Sequence, residues 1–214
     1  MFDLGTYDFL KPPTVMKTTG LPVLQAVRDS GNGPLIEVRV AGDVTPDATI
    51  QIFSGRRLAG NSLPIPANKE NGEIPAGSWY ITSNGKQSPP KEILRELTSQ
   101  RVLQLKGRER YRAMAGKHMW LSLYRDDRSA LLYNSIDDFT VEGFSLRDGI
   151  RLHFGEGSNG CFTFRNPQGY AKILRALSKA MPKYFDPAGN PVSAETPNAI
   201  KVYGKLEIPH RVVP

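Results

Sequence analysis

The residue best suited to chemistry in this 214-residue chain is its single cysteine, Cys161. It follows His153 in RLHFGEGSNGCFTF, where a glycine-rich stretch separates the two. A thiol needs a neighbouring base or cation to become a nucleophilic thiolate, and a histidine at the end of an adjacent strand can supply both. A glycine directly before the nucleophile also lets the backbone amides of Gly160 and Cys161 face one oxyanion. The pattern is therefore consistent with a cysteine nucleophile that is activated by a histidine.

The same cysteine has a second interpretation as a buried core residue, because free cysteines commonly pack among apolar side chains. A single cysteine excludes an intramolecular disulfide and a four-thiolate metal site. The three histidines have no carboxylate or cysteine at ligand spacing, so neither a metal nor a cofactor is predicted. The sequence thus leaves two meanings for Cys161, nucleophile or core.

The other titratable candidates are assigned structural roles. His118, in GKHMWLSLY, is interpreted as a structural or surface histidine, and His210, near the end of the chain, as exposed. The acidic pairs Asp126-Asp127 and Asp137-Asp138 have the neighbours of turn residues rather than of a catalytic pair. Core packing is the default for three aromatic residues on predicted strands, Trp79, Trp120 and Tyr124.

Positive charge is the second notable feature: 28 Lys and Arg residues stand against 21 Asp and Glu, a formal net charge of +7. The densest cluster contains Lys106, Arg108, Arg110 and Arg112. A positive field attracts nucleic acid, an anionic cell envelope or an acidic protein, and composition does not choose among them. The default interpretation of such a run is a solvated surface.

The elements that must position these residues are mostly strands. The 20 Gly and 17 Pro residues divide the chain into short pieces, which favours strands joined by turns. Alternating apolar and polar residues predict a hairpin from residues 35–41 and 49–53. Aromatic and β-branched residues predict four more strands, at residues 78–82, 118–124, 150–154 and 199–208.

Two segments have helical patterns. Residues 89–105 open with prolines and then place apolar residues at helical spacings. A second helix is predicted to start after Asn166 as N-cap, with Pro167 in its first turn, and to end before Pro182. Its apolar stripe consists of Tyr170, Ile173, Leu174, Leu177 and Met181. The sum is a mostly β domain over residues 35–214 with one or two packed helices, preceded by a lead-in segment, residues 1–34.

Three sequence elements together resemble the L,D-transpeptidase catalytic domain. The first is His153 followed by Ser158-Asn159-Gly160-Cys161, which is similar to the family signature of His and then Ser/Thr-x-Gly-Cys. The others are GEIPAGSWYI at residues 72–81 and the closing VYGKL at residues 202–206. The resemblance implies a β-rich sandwich and a peptidoglycan-modifying enzyme that needs no cofactor. In it Cys161 is the nucleophile, His153 the base, Gly160 part of the oxyanion site, and Ser158 orients the loop or the histidine.

Two departures indicate a branch of that family. Housekeeping members usually have His where this chain has Asn159, and Arg where it has Thr163. The short spacing from His153 to Cys161 is more similar to antibacterial effectors of the type VI secretion system. That resemblance implies L,D-carboxypeptidase or L,D-transpeptidase exchange activity on tetrapeptide stems. It also implies a cognate immunity protein and a secretion-system component as partners, and no nucleic acid.

The start of the chain, MFDLGTYDFLKPPTVMK, lacks the basic and then apolar pattern of a secretory signal. No run of about 18 apolar residues occurs, so no membrane span is predicted. We expect a protein made in the cytoplasm without a signal peptide, then secreted to act in the periplasm of target bacteria. Two alternatives stay open: a non-catalytic basic module that binds envelope or nucleic acid, with a structural cysteine, and a cysteine peptidase of another architecture.

Overall fold

Eleven strands and four helices lie in the part of the chain that the computed structural model describes, residues 20–30, 33–45, 49–55, 72–83, 88–125, 139–141, 145–147, 150–158, 160–186 and 189–211. The strands are β1 Val23–Arg28, β2 Leu35–Val40, β3 Ile50–Ser54, β4 Gly77–Ser83, β5 Leu121–Arg125, β6 Phe139–Val141, β7 Ser145–Arg147, β8 Arg151–Phe154, β9 Phe162–Phe164, β10 Lys183–Phe185 and β11 Ile200–Ile208. The helices are α1 Pro90–Leu97, α2 Gln100–Leu103, α3 Gly107–Ala115 and α4 Pro167–Lys179. None of these helices combines the length and the apolar character needed to span a bilayer.

Eight of the strands form one closed sheet. Their order is β1-β2-β3-β9-β8-β5-β4-β11, and the pairing of β11 with β1 closes the ring. β10 adds to β11 outside the ring, and β6 pairs with β7 in a separate two-stranded sheet. Within the ring, β8–β9 and β1–β11 are parallel, and the other pairs are antiparallel. The two facing layers that a sandwich requires are therefore supplied by one sheet that curves back on itself.

The core follows from the alternation of side chains along these strands. Successive residues of a strand point to opposite faces, and one face of the ring contributes buried pairs such as Ile50 and Ile52, Leu121 and Leu123, and Phe162 and Phe164. On the opposite face of β4 and β5, Tyr80 and Tyr124 join a smaller cluster with Phe185. A site that substrate can reach requires a part of the outer face that no such apolar cluster covers.

α4 is anchored as its sequence predicts. Asn166 caps it by accepting a hydrogen bond from the Gly169 N–H (2.7 Å), and Pro167 occupies the first turn. Its buried stripe joins the core through Tyr170, Ile173, Leu174 and Leu177. Met181, the last predicted member of that stripe, is 87% exposed because the helix ends at Lys179 and Ala180 is already extended.

The predicted mostly β class with packed helices is confirmed, and so is the antiparallel pairing of β2 with β3. The helix predicted over residues 89–105 is two helices, because Ser99 is extended and caps α2 by accepting the Val102 N–H. α3 and three strands of the large sheet are not predicted: β1, β9 and β10. β1 lies within the predicted lead-in, residues 1–34, yet it pairs with both β2 and β11.

A buried ion pair ties β1 to the segment that precedes β4. Arg28 Nη1 lies 2.7 Å from Glu73 Oε2, and the two side chains are 5% and 3% exposed. Glu73 also accepts the Leu35 N–H (3.0 Å), and Arg28 also donates to the Gly33 carbonyl (3.1 Å). Because both charges are paired and hydrogen-bonded, the cost of removing them from water is offset. The pair fixes Gly72–Ile74 beside β3.

We expect Glu73→Ala to lower the free energy of unfolding by about 3 kcal/mol, because it leaves Arg28 buried without its carboxylate. Chemical denaturation measures the loss. The matched control is Glu92→Ala, which removes a half-exposed carboxylate 3.9 Å from Arg95 on α1 and should change stability by less than about 0.5 kcal/mol. Equal stability of the two variants would contradict a structural role for the buried pair.

Candidate active site

The parallel pair β8–β9 places the histidine and the cysteine on one face of the sheet. Leu152 pairs with Phe162 and His153 with Thr163. Leu152 and Phe162 point into the core, so His153 and Thr163 point outward. Cys161 directly precedes β9, two residues before Thr163, so the same alternation places it on the outer face. The register therefore places His153, on β8, and Cys161, the residue before β9, on the same face of the sheet.

His153 is held as a neutral base. Its ring is 7% exposed, and Nδ1 lies 2.9 Å from the Phe154 carbonyl oxygen. A carbonyl only accepts hydrogen bonds, so Nδ1 carries the proton and Nε2 is left as the acceptor. Burial lowers the pKa of His153, the charge of Arg151 lowers it further, and the contact with Phe154 opposes both. Around neutral pH the ring is therefore uncharged, as a general base must be.

The ring of Tyr111 covers His153 from α3. The two ring centroids are 5.4 Å apart and the planes are tilted by 46°. Tyr111 is half-buried, and burial raises the pKa of its phenol, as does the nearby charge of Cys161. Tyr111 therefore contributes a neutral aromatic wall to the site. No pattern in the sequence distinguishes Tyr111 from its neighbours, because it stands within the basic run of residues 106–112.

Ser158 organises the loop that leads to the nucleophile. Its hydroxyl donates to the Cys161 carbonyl (2.7 Å) and accepts the N–H groups of Gly55 (3.1 Å) and Gly160 (3.3 Å). The side chain is only 7% exposed, so water does not readily replace these bonds. Of the two roles predicted for Ser158, the hydrogen bonds described for it fit the orientation of the loop. They join the loop to the end of β3.

Gly160 gives the loop a turn that other residues rarely adopt. Its φ is 115°, in the region that favours glycine, and its carbonyl accepts a hydrogen bond from Ser54 Oγ (3.3 Å). Ser54 Oγ in turn accepts the Ile74 N–H (2.8 Å). The Gly160 N–H, predicted to stabilise an oxyanion, donates to Ser158, so an oxyanion would compete with that hydroxyl for it.

Cys161 itself is half-buried and is not part of the apolar core, whereas its neighbours Phe162 and Phe164 are. A cavity of about 570 Å³ adjoins the loop, between Phe53–Gly55, Gly155–Glu156 and Arg165. A partly exposed Cys161 among buried neighbours is compatible with a nucleophile, because substrate must reach that residue.

The remaining sequence candidates lie apart from this pair. His118 is exposed, and its ring packs edge-on against Trp120 at 5.4 Å between centroids. His210 is exposed as expected. Trp79 and Tyr124 are buried, and Trp120 is half-buried. Asn159 and the acidic pairs at residues 126–127 and 137–138 lie outside the described residues. Where side chains are described, no group of His, Cys, Asp and Glu could hold a metal ion.

In comparisons with known proteins, no family model, curated protein or solved structure matches this chain. The resemblance of His153 and residues 158–161 to the L,D-transpeptidase signature therefore stays a prediction. A fold alone does not determine an activity, so the function has to be argued from the chemistry of the site.

Two of the three glycines in the loop, Gly157 and Gly160, allow a direct test of the role of its backbone. We expect Gly160→Ala to lower the free energy of unfolding by about 1 to 3 kcal/mol, because a Cβ is strained at its positive φ. It should also slow the alkylation of Cys161. The matched control is Gly157→Ala, whose Cβ would meet no atom within 4 Å and whose φ is not in the positive region. Similar behaviour of the two variants in denaturation and thiol-labelling experiments would refute the role of Gly160.

Proposed function

We propose that this protein is a cysteine acyl-transfer enzyme of the L,D-transpeptidase type that acts on tetrapeptide stems of peptidoglycan. The observation that carries the proposal is the pairing of β8 with β9, which puts His153 and Cys161 on the same face. Two further observations support it. His153 is neutral and has a defined tautomer, and Cys161 is partly exposed in a loop that hydrogen bonds hold in place. The resemblance of the motif residues supplies the substrate class.

In the first half-reaction, Nε2 of His153 takes the proton of the Cys161 thiol as the sulfur attacks the carbonyl of the third residue of the stem. The Cys161 N–H, assisted by the Gly160 N–H, stabilises the oxyanion of the tetrahedral intermediate. When the intermediate collapses, the carbon–nitrogen bond to the terminal D-Ala breaks. His153 returns the proton to the leaving amine, and the stem remains attached to Cys161 as a thioester.

In the second half-reaction, water or an amine attacks the thioester. Water gives a shortened stem, which is L,D-carboxypeptidase activity, and an amine gives exchange or a cross-link, which is L,D-transpeptidase activity. His153 accepts the proton of the attacking group in either case, and the thiol is regenerated. No cofactor takes part in this sequence.

The activity test compares wild type with Cys161→Ala and His153→Gln, using purified tetrapeptide muropeptides and mass spectrometry of the products. We expect no product from Cys161→Ala and a rate loss of about 10²- to 10⁴-fold for His153→Gln, because general-base catalysis is worth that much. The matched control is His118→Gln, which removes an exposed histidine and should retain the wild-type rate. Equal activity of wild type and Cys161→Ala would contradict the proposed mechanism.

A second candidate is a non-catalytic basic module, and one observation favours it. The helices carry far more basic than acidic side chains: Lys91, Arg95, Arg101, Arg108, Arg110, Arg112, Lys172, Arg175 and Lys179, against Glu92, Glu96 and Glu109. Such a surface attracts polyanions whether or not the thiol reacts. If Cys161→Ala keeps every property of the wild type and binding to wall polymer or DNA falls with salt, this module is the better account.

We further propose that the enzyme is an antibacterial toxin, secreted into the periplasm of target bacteria and restrained in the producer by a cognate immunity protein. The basis is the resemblance of the motif spacing to type VI secretion effectors. A secretion-system component is then a second partner.

We expect growth arrest and cell lysis when the wild-type protein is directed to the periplasm, because its substrate lies there. Growth curves and microscopy measure both. The same protein retained in the cytosol, and Cys161→Ala directed to the periplasm, should be harmless. Killing from the cytosol would exclude this placement.

A further inference from the structure

Arg151 shares the outer face of β8 with His153. Leu152 and Phe162 are partners in the parallel β8–β9 register. Arg151 directly precedes Leu152, and Cys161 directly precedes Phe162. The first residue of β8 and the residue before β9 therefore stand side by side, on the face opposite the core. Arg151 is thus the neighbour of Cys161 across the two strands, one step along from His153.

The guanidinium of Arg151 is held in place by β5. Its Cζ lies 5.8 Å from the centre of the Trp120 ring, a cation–π distance. Nη1 donates to Ser122 Oγ (3.3 Å), and Ser122 is its pairing partner in the antiparallel β5–β8 ladder. A half-buried arginine with a stacked ring and a hydrogen bond has a defined position, so its charge acts on the site from a fixed point.

The charge of Arg151 acts on Cys161. Burial lowers the pKa of Arg151, whereas the negative charges of Cys161 and Tyr124 raise it. The same attraction favours the thiolate of Cys161, because the energy of a charge pair belongs to both partners. Arginine stays protonated in proteins, so this positive charge is permanent over the working pH range.

We propose that Arg151 is the counter-ion of the Cys161 thiolate, a positioning residue that stabilises the charge left on sulfur when neutral His153 takes the thiol proton. In many cysteine–histidine pairs, the imidazolium supplies the positive charge. Here the buried ring of His153 lies near a permanent cation, and both conditions disfavour its protonated form. The two tasks of stabilising charge and moving the proton are thereby divided between Arg151 and His153.

The groups that face Cys161 are consistent with this division. Tyr111 from α3 is a phenol whose pKa burial raises, so it remains neutral. His153 from β8 accepts the thiol proton at Nε2 during attack, and Tyr124 from β5 interacts electrostatically with Arg151. The guanidinium itself exchanges no proton. The proposal rests on Cys161 as the nucleophile of the proposed function, but not on the identity of the substrate.

The test measures the rate of Cys161 alkylation by iodoacetamide between pH 5 and 10. Because the chain has one cysteine, every reacted thiol is Cys161. We expect Arg151→Met to raise the midpoint of the rate profile by about one pH unit and to slow labelling at neutral pH about tenfold. Arg151→Lys, which keeps the charge, should retain most of the wild-type profile. Arg112→Met, which removes an exposed charge from α3, should leave it unchanged.

A wild-type midpoint at the free-thiol value of about 8.5, or an Arg151→Met profile equal to that of wild type, would overturn the proposal. Circular dichroism confirms that each variant is folded, and Arg151→Gln replaces Arg151→Met if the latter is not. Muropeptide turnover is measured in parallel. A shifted labelling profile without any turnover would reject the proposed substrate and leave the role of Arg151 standing. Turnover with an unshifted profile would reject Arg151 alone.

Discussion

The hydroxyls of Ser54 and Ser158 hold the loop before Cys161, and the geometry of the site depends on them. Ser54 fixes the Gly160 carbonyl, and Ser158 joins the backbone of Gly55 to that of Cys161. Ser54 is in turn held by the Ile74 N–H, directly after the carboxylate of Glu73. Each of these polar groups is buried or nearly so, and losing one bond costs about 1 to 3 kcal/mol. The buried ion pair is thus linked to the loop before Cys161 through Ile74 and Ser54.

The parallel pairing of β8 with β9 explains why this loop needs so many constraints. Parallel neighbours are usually joined by a crossover of about a dozen residues or more, commonly with a helix. Here residues 155–161 make the whole connection. So short a path uses the positive φ of Gly160 for its turn and hydrogen bonds to hold it. In return, the starts of both strands lie side by side, which is what places Cys161 next to Arg151 and one step from His153.

The sequence predicts those parts of the fold that have a local signal. Alternation reveals β2 and β3, and a cap with a proline reveals α4. β9 has only three residues, too few for its apolar–polar alternation to identify a strand. The exposed charges of α3 conceal its role as the support of Tyr111. The residue types alone suggest Cys161 and His153 as candidates. The contact of His153 Nδ1 with the Phe154 carbonyl cannot be predicted in this way, because it involves a backbone atom. Arg151 could have been found by counting two residues back from His153 along the strand.

The closure of the ring couples the geometry of the loop before Cys161 to the completion of folding. β1 and β11 come from opposite ends of the described chain, with Val23 paired to Lys205, so the ring closes through a contact of very long sequence separation. β1 also supplies Arg28, which holds Glu73 and donates to the Pro209 carbonyl beyond β11. An intermediate that has not joined these two strands lacks the support of the nucleophile loop. The geometry of the loop before Cys161 therefore depends on contacts between the two ends of the described chain.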